Sequence, residues 1–174
     1  MTEFADEFCF REMCIRDRPK IDKSDFQIMY YSSWYFSAIH ILITISKFRT
    51  ISAIAERLNL SRNIVSSALL FLAAAGLAEK RGESWNAISF DLHLPSNSPL
   101  SSINHHNWRA QAVQKSRQAS GSDNIHFTAV YSLSQKDFLK LRTRILDIVS
   151  ESREIALKSA EEDLFSVCFD AFSV

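Results

Sequence analysis

Residues 51–76 read ISAIAERLNLSRNIVSSALLFLAAAG, two short helical patterns joined by a polar corner. Apolar side chains recur at intervals of three and four residues on both sides of the corner, which places them on one face of each helix. At the corner, Asn59 tolerates a left-handed backbone, Leu60 can enter a shared core, and Ser61 can cap the second helix. Gly76 stands where glycine commonly ends a helix. The stretch therefore predicts a helix-turn-helix.

The same stretch resembles the bacterial winged helix-turn-helix pattern. The matching positions agree in order and spacing without a gap, and they are Ile54, Ala55, Leu58, Leu60, Ser61, Arg62, Val65, Leu69, Leu72, Gly76 and Leu77. Beyond them, residues 77–81 are expected to form a strand, residues 82–84 a turn and residues 85–89 a returning strand. That hairpin would be the wing. The resemblance is specific for the fold and much less so for activity.

Composition favours a globular protein with one substantial core or two small ones, because 47% of the 174 residues are hydrophobic. No apolar run approaches the roughly 20 residues of a membrane span, and the N-terminus lacks the order of a secretory signal, so a cytoplasmic location is expected. The formal net charge of zero argues against attraction of nucleic acid by the whole surface. A modest basic excess between residues 47 and 89 leaves a local DNA-contacting patch.

The cysteines, the possible nucleophiles and the carboxylates of the sequence form no motif that is typical of an enzyme. The three cysteines, Cys9, Cys14 and Cys168, suggest neither a disulfide framework nor a zinc site, and we expect Cys168 in the core of an apolar strand. A nucleophile elbow, a phosphate-cradling glycine loop and paired carboxylates are all missing from the sequence. We therefore expect no catalytic residues, no metal site and no cofactor.

The N-terminal segment differs in character from the rest. Residues 12–18, EMCIRDR, resemble the conceptual translation of a transposase adapter used in sequencing libraries. Our hypothesis is that residues 1–18 are non-native and that the native protein extends further upstream. Residues 26–31 are expected to form a short strand or an extended arm, and residues 34–48 a helix buried on more than one side.

The fold class predicted is α+β: a winged helix-turn-helix over residues 19–90, a linker over residues 91–100 and a small α/β half over residues 101–174. In that half, a helix at residues 103–119 precedes a strand at 125–133, a long helix at 135–161 and a terminal strand at 164–174. Ser134, with Asp137 three residues on, is expected to cap the long helix. The two strands would share a sheet through a crossover.

Several of these features together resemble the C-terminal portion of an uncharacterised bacterial family that carries a domain of unknown function. They are residues 31–35, the helix-turn-helix, the His105-His106-Asn107 helix and the strand-helix-strand finish. The resemblance implies a winged-helix fold and a role in transcriptional regulation. It supplies no ligand, no operator and no catalytic residue.

A protein of this kind would bind double-stranded DNA with the second helix in the major groove and the wing on the backbone. The DNA-contacting residues predicted are Ser61, Arg62, Asn63, Ser66, Ser67, Lys80 and Arg81. Leu70 and Phe71 lie on a face that DNA-binding helices usually keep charged, which suggests a surface covered by another part of the chain, by a second subunit of a homodimer or by a missing N-terminal region. Two alternatives stay open: a protein-interaction or assembly module that does not bind DNA, and a small-molecule-sensing regulatory domain.

Overall fold

The computed structural model describes residues 23–88, 94, 97–118 and 124–174. The predicted non-native segment, residues 1–18, lies outside these residues, and so does half of the predicted linker, residues 91–93, 95 and 96. The chain forms two compact units: the first ends at Ala110 and also includes Glu162–Phe165, and the second comprises Gln111–Glu161 and Ser166–Val174. The elements in chain order are α1 (Lys23–Ser32), α2 (Trp34–Leu42), a 3₁₀ turn (Ser46–Phe48), α3 (Ile51–Leu58), α4 (Arg62–Ala74), β1 (Ala78–Arg81), β2 (Ser84–Ala87), α5 (Pro99–Ser116) and α6 (Gln135–Lys158).

The predicted strand or arm at residues 26–31 is wrong, because this stretch lies within α1. Its aromatic residues have strand propensity, but Phe26 and Tyr30 are four residues apart and therefore share one face of a helix. Both side chains are buried, and α1 packs against α2. Tertiary packing of this aromatic face outweighs local propensity.

The predicted helix at residues 34–48 ends earlier than expected, at Leu42. Three β-branched residues follow in sequence, Ile43, Thr44 and Ile45, and such side chains lose rotamer freedom in a helix. A turn and then the 3₁₀ segment follow the end of α2. The prediction that this region is buried is confirmed for Phe36, Ala38, Ile39, His40 and Leu42.

The α3–α4 pair has the predicted boundaries, and its capping residues account for them. The Thr50 side chain caps α3 by accepting the backbone N–H of Ala53 at 3.2 Å. Asn59 has the left-handed conformation that ends α3, with φ 52° and ψ 47°. The backbone N–H of Leu60 donates to Ala55 O at 3.0 Å, which closes the helix end.

Helix α4 ends in the same way as α3, at a residue with a left-handed backbone. Gly76 has φ 77°, the N–H of Leu77 donates to Leu72 O at 2.9 Å, and that of Gly76 donates to Ala73 O at 3.0 Å. These two bonds satisfy carbonyl groups that the helix leaves unpaired. Gly76 is therefore required by its backbone conformation.

The antiparallel hairpin β1–β2 follows α4, as predicted, with Ala78 opposite Ala87 and Arg81 opposite Ser84. Gly82 at its turn has φ 60°. The backbone N–H of Trp85 donates to Arg49 O at 2.7 Å, so the chain between α2 and α3 contacts the returning strand close to the hairpin turn. The mixture of helices and a small antiparallel sheet confirms the α+β class.

One hydrophobic core lies in the first unit, where α2 and α3 both pack on α4 and α4 packs on β1. Its fully buried large side chains include Ile39, Leu42, Ile43, Ile54, Leu69 and Leu72. The helical spacing of these residues in the sequence predicted most of this core.

The helix predicted from residue 103 starts at Pro99 instead. Proline is favoured as the first residue of a helix because its missing N–H would have no partner there. The Ser98 side chain accepts the N–H of Leu100 at 3.3 Å, so Ser98 rather than Ser101 or Ser102 serves this end. The boundary between the two units falls within α5.

The strands predicted at residues 125–133 and 164–174 are wrong. Both segments lack regular secondary structure. Strand composition indicates only that a segment suits a pleated, partly buried surface, and a strand also needs a hydrogen-bonding neighbour. Without that neighbour, Ile125, Val130 and Phe165 are 90%, 88% and 85% exposed. Cys168, predicted in a core strand, is an exposed free thiol.

Candidate nucleic-acid interface

The N-terminal end of α4 is positioned by its cap. Ser61 has an extended backbone, and its Oγ accepts the N–H of Ile64 at 3.3 Å. This bond fixes where the helix begins and orients its first turn. The hydroxyl proton of Ser61 remains a possible donor to an external acceptor.

The other predicted DNA-contacting residues of α4 differ in exposure. Arg62, Asn63 and Ser67 are exposed, whereas Ser66 is half-buried. The side of the helix that carries Val65, Ala68, Leu69 and Leu72 is buried in the core. The first turns therefore present a guanidinium, an amide and a hydroxyl to solvent, which are groups that can donate to phosphates and base edges.

Lys80 and Arg81 are both exposed, but they lie on opposite faces of the hairpin because side chains alternate along a strand. Lys80 is opposite Trp85 in the register. Arg81 forms an ion pair with Glu79, two residues before it on the same face. The structure therefore does not bring the two predicted wing residues together as one basic patch.

Much of the basic excess between residues 47 and 89 is occupied by contacts within the chain. The Arg49 guanidinium donates to Thr44 O at 3.0 Å, and Arg57 forms an ion pair with Asp163 at 2.8 Å. Lys47 lies over the Phe48 ring, 4.9 Å from its centroid. Among the described residues, Arg62 and Lys80 form no ion pair, so they carry the positive charge most available to an anionic partner.

Leu70 and Phe71, predicted as an interaction surface, have different environments. Phe71 is half-buried: its ring stacks on Phe26 at 5.1 Å between centroids and meets Phe36 at 5.0 Å. Leu70 is 61% exposed. Part of the apolar outer face of α4 is thus covered by α1, and Leu70 remains in contact with solvent.

The ion pair between Arg57 and Asp163 joins residues 106 positions apart, and sequence analysis did not predict it. Burial alone raises the pKa of Asp163. The hydrogen bonds from the backbone N–H of Leu164 and from the Arg57 guanidinium together lower this pKa by more than burial raises it, so the net shift is downward. The contact attaches the chain beyond α6 to α3. Asp163 follows Glu161 and Glu162 in a short acidic run, which gave no sequence signal of the contact.

A second unpredicted contact is buried. The Tyr30 hydroxyl and His40 Nδ1 lie 3.2 Å apart, with the two residues 5% and 1% exposed. Burial, together with the nearby Tyr31, raises the pKa of Tyr30, so the phenol stays protonated and can donate to the imidazole. Tyr30 lies on α1 and His40 on α2, so the periodicity of a single element could not reveal this contact.

Among the described residues, no three histidine, cysteine or acidic side chains are grouped to hold a metal ion. No helix in this part of the chain is long and apolar enough to cross a membrane.

Residues 16–174 match the family described as "Domain of unknown function (DUF4423)". The match covers most of the chain, and the protein belongs to this family. This agrees with the predicted resemblance to an uncharacterised family. No curated protein and no solved structure matches the chain.

Proposed function

We propose that this protein is a bacterial transcriptional regulator with a winged helix-turn-helix, acting without catalysis or cofactor in the cytoplasm as a homodimer on double-stranded DNA. The observation that carries the proposal is the capped, exposed first turn of α4, where Arg62 and Asn63 reach solvent. An exposed helix end that presents such donors suits entry into the major groove.

Three further features support the proposal. The α3–α4 pair is joined by a short turn, and a hairpin directly follows it, which is the element order of winged domains. Arg62 and Lys80 lie on the two elements that would contact the groove and the backbone. Ser61, Asn63, Ser66 and Ser67 are short polar side chains that can approach phosphates closely.

The test is a measurement of DNA affinity as a function of salt. The full chain would first select duplexes from a random-sequence library, and a fluorescein-labelled selected duplex would then be titrated by fluorescence anisotropy. We expect Arg62→Ala to weaken binding about tenfold and to reduce the slope of log K against log salt by about one, because one phosphate or base-edge contact is lost. Lys80→Ala should act similarly, but uniformly across DNA sequences.

The matched control is Lys136→Ala, which removes an exposed positive charge from α6. It should leave affinity and salt slope unchanged. Failure of the folded protein to bind any duplex at about 50 mM salt would overturn the proposal, as would equal losses for Arg62→Ala and Lys136→Ala.

A second candidate function is a protein-interaction module that does not bind DNA. It is favoured by Leu70, which is 61% exposed on α4, and by Ile64, which is 40% exposed. Leu70→Lys distinguishes the two functions. If the protein binds DNA, the Leu70→Lys variant should keep or gain affinity for DNA because of the added positive charge. If it is a protein-interaction module, the variant should no longer bind its protein partner.

A further inference from the structure

Helix α6 carries an apolar seam with the spacing of a coiled coil. Six side chains recur at alternating intervals of three and four residues, five of them apolar and one a serine, and they are Phe138, Leu141, Ile145, Ile148, Ser152 and Ile155. One row of this seam is open to solvent, since Leu141, Ile148 and Ile155 are 39%, 48% and 63% exposed. The other row is half-buried. Apolar residues at these spacings are what paired helices use to interlock.

Four charged residues flank the seam at intervals of seven, and their signs alternate along the helix. They are Asp137, Arg144, Glu151 and Lys158, all of them exposed. Read in reverse, the order of signs is inverted at every position. A second copy of the helix running in the opposite direction would therefore place Asp137 near Lys158 of the partner subunit and Arg144 near Glu151 of the partner subunit. Both contacts are attractive.

From this pattern we infer that α6 pairs antiparallel with α6 of a second copy of the chain. In that pair, Phe138 faces Ile155 of the partner subunit, Leu141 faces Ser152 of the partner subunit, and Ile145 faces Ile148 of the partner subunit. A twofold axis near the middle of the helix makes every contact occur twice. This assigns a surface to the homodimer proposed above and rests on that part of the proposed function, but it does not require DNA binding.

A parallel pair fits the charges less well. In parallel coiled coils, each flanking residue faces the position five residues further on in the partner. Arg144 and Glu151 would then face Val149 and Ala156, and both charges would lack a partner across the interface. In the antiparallel pair, each of the four charged residues lies near a residue of opposite charge on the partner subunit.

The ion pairs already present on α6 do not compete strongly with this arrangement. Asp137 lies 2.7 Å from Lys140, Arg144 lies 3.9 Å from Asp147, and Lys158 lies 4.0 Å from Glu154. Such exposed pairs within one helix contribute little. Their side chains can exchange these partners for charges across a dimer.

Charge inversion tests the pairing. Sedimentation velocity of the full chain over a dilution series, without DNA, should show a dimer. Arg144→Glu and Glu151→Arg should each weaken that dimer at least about tenfold, because each creates two like-charge contacts. The double variant should dimerise as the wild type does. An equimolar mixture of the two single variants should form a heterodimer, because both of its contacts are again attractive.

Restoration by the second change is specific for pairing between chains. Arg144 and Glu151 are seven residues apart and thus separated by about 10.5 Å along the helix, too far for a direct contact in one chain. The matched control, Lys136→Glu, inverts an exposed charge on the opposite side of α6 and should leave the dimer unchanged. Circular dichroism of each variant verifies that the helix is retained.

Three outcomes would overturn the inference: a wild-type chain that stays monomeric at roughly 100 μM, single inversions that act no differently from Lys136→Glu, or a double variant as weak as the singles. The experiment contains no DNA, so its failure is distinguishable from failure of DNA binding. A dimer that resists every inversion would still permit DNA binding but would place the interface elsewhere.

Discussion

At the scale of single residues, the pair Tyr30 and His40 is a polar contact enclosed by the core of the first unit. Its hydroxyl-to-Nδ1 distance is 3.2 Å, and both side chains are buried. Tyr30→Phe keeps the ring and deletes the hydroxyl, and we expect it to lower the free energy of unfolding by about 1 kcal/mol because the buried imidazole loses a hydrogen-bond partner. Urea denaturation at neutral pH measures the change. Tyr131→Phe, at an exposed tyrosine, should have no effect.

The same residue should make stability sensitive to alkali. Burial raises the pKa of Tyr30 above its ordinary value of 10.0, so the unfolded chain ionises this phenol at lower pH than the folded chain does. Its contribution is therefore fully present below pH 10.0 and declines as the pH rises further. Between about pH 10 and 12, Tyr30→Phe should lose less stability than the wild type. A parallel decline of the two proteins would contradict this prediction.

Asp163 gives the opposite dependence. Although burial raises its pKa, the Leu164 N–H and Arg57 bring it below the ordinary value of 3.8. Its contribution is thus present above that value and disappears as the pH falls below it. Because the Arg57 and Asp163 side chains are 34% and 35% exposed, Asp163→Asn should cost less than about 1 kcal/mol at neutral pH.

Urea unfolding of wild type and Asp163→Asn at pH values from neutral to acid measures this contribution. The difference between the two proteins should shrink toward zero in acid. Asp147→Asn, at an exposed carboxylate with only a 3.9 Å ion pair, is the control and should change little. A difference that grows in acid would exclude the ion pair between Arg57 and Asp163 as its source.

At the scale of secondary structure, the ends of α3 and α4 depend on left-handed residues. Gly76 has φ 77°, and a Cβ added there would meet no atom within 4 Å, so substitution is opposed by the backbone conformation alone. Gly76→Ala should therefore cost about 1 kcal/mol. Asn59, at φ 52°, should accept glycine with a change of only a few tenths of a kcal/mol.

Urea denaturation distinguishes these two changes. Asn59→Ala supplies the matched comparison, since alanine has a Cβ but no side-chain amide, and it should be as costly as Gly76→Ala. Equal stability of Asn59→Gly and Asn59→Ala would show that backbone conformation does not set this corner.

The elements that sequence predicted are those specified locally. The Thr50 and Ser134 caps, the Asn59 and Gly76 stops and the hairpin at Gly82 all depend on residues within a few positions of one another. The failures are non-local. A strand at residues 125–133 would need a pairing partner, and α1 was missed because its helical aromatic face is stabilised by α2 and α4.

The candidate site divides in the same way. The exposure of Arg62 and Asn63 follows from the helical period of α4, and sequence could predict it. Arg57 pairs with Asp163, and Phe26 covers Phe71. Both contacts depend on residues that are far apart in the chain. No local pattern contains that information.

At the scale of the whole molecule, the proposed seam on α6 has one weak layer. Ser152 would face Leu141 of the partner subunit, and twofold symmetry repeats this polar-to-apolar contact. Ser152→Leu should tighten the dimer about tenfold by burying additional apolar surface. Sedimentation over a dilution series measures this. Ser150→Leu adds the same side chain on the opposite side of α6 and should not tighten the dimer; equal effects would argue for nonspecific association.

The bond from the Trp85 N–H to Arg49 O has a consequence for how relatives of this protein can diverge. It anchors the turn end of the hairpin through main-chain atoms, which almost any residue except proline supplies. The two-residue turn at Gly82 and Glu83 lies close to this bond, because Trp85 pairs with Lys80 and Arg81 pairs with Ser84. Insertions in the turn would extend outward from this fixed point, so loop length can vary among relatives while the helices keep their places.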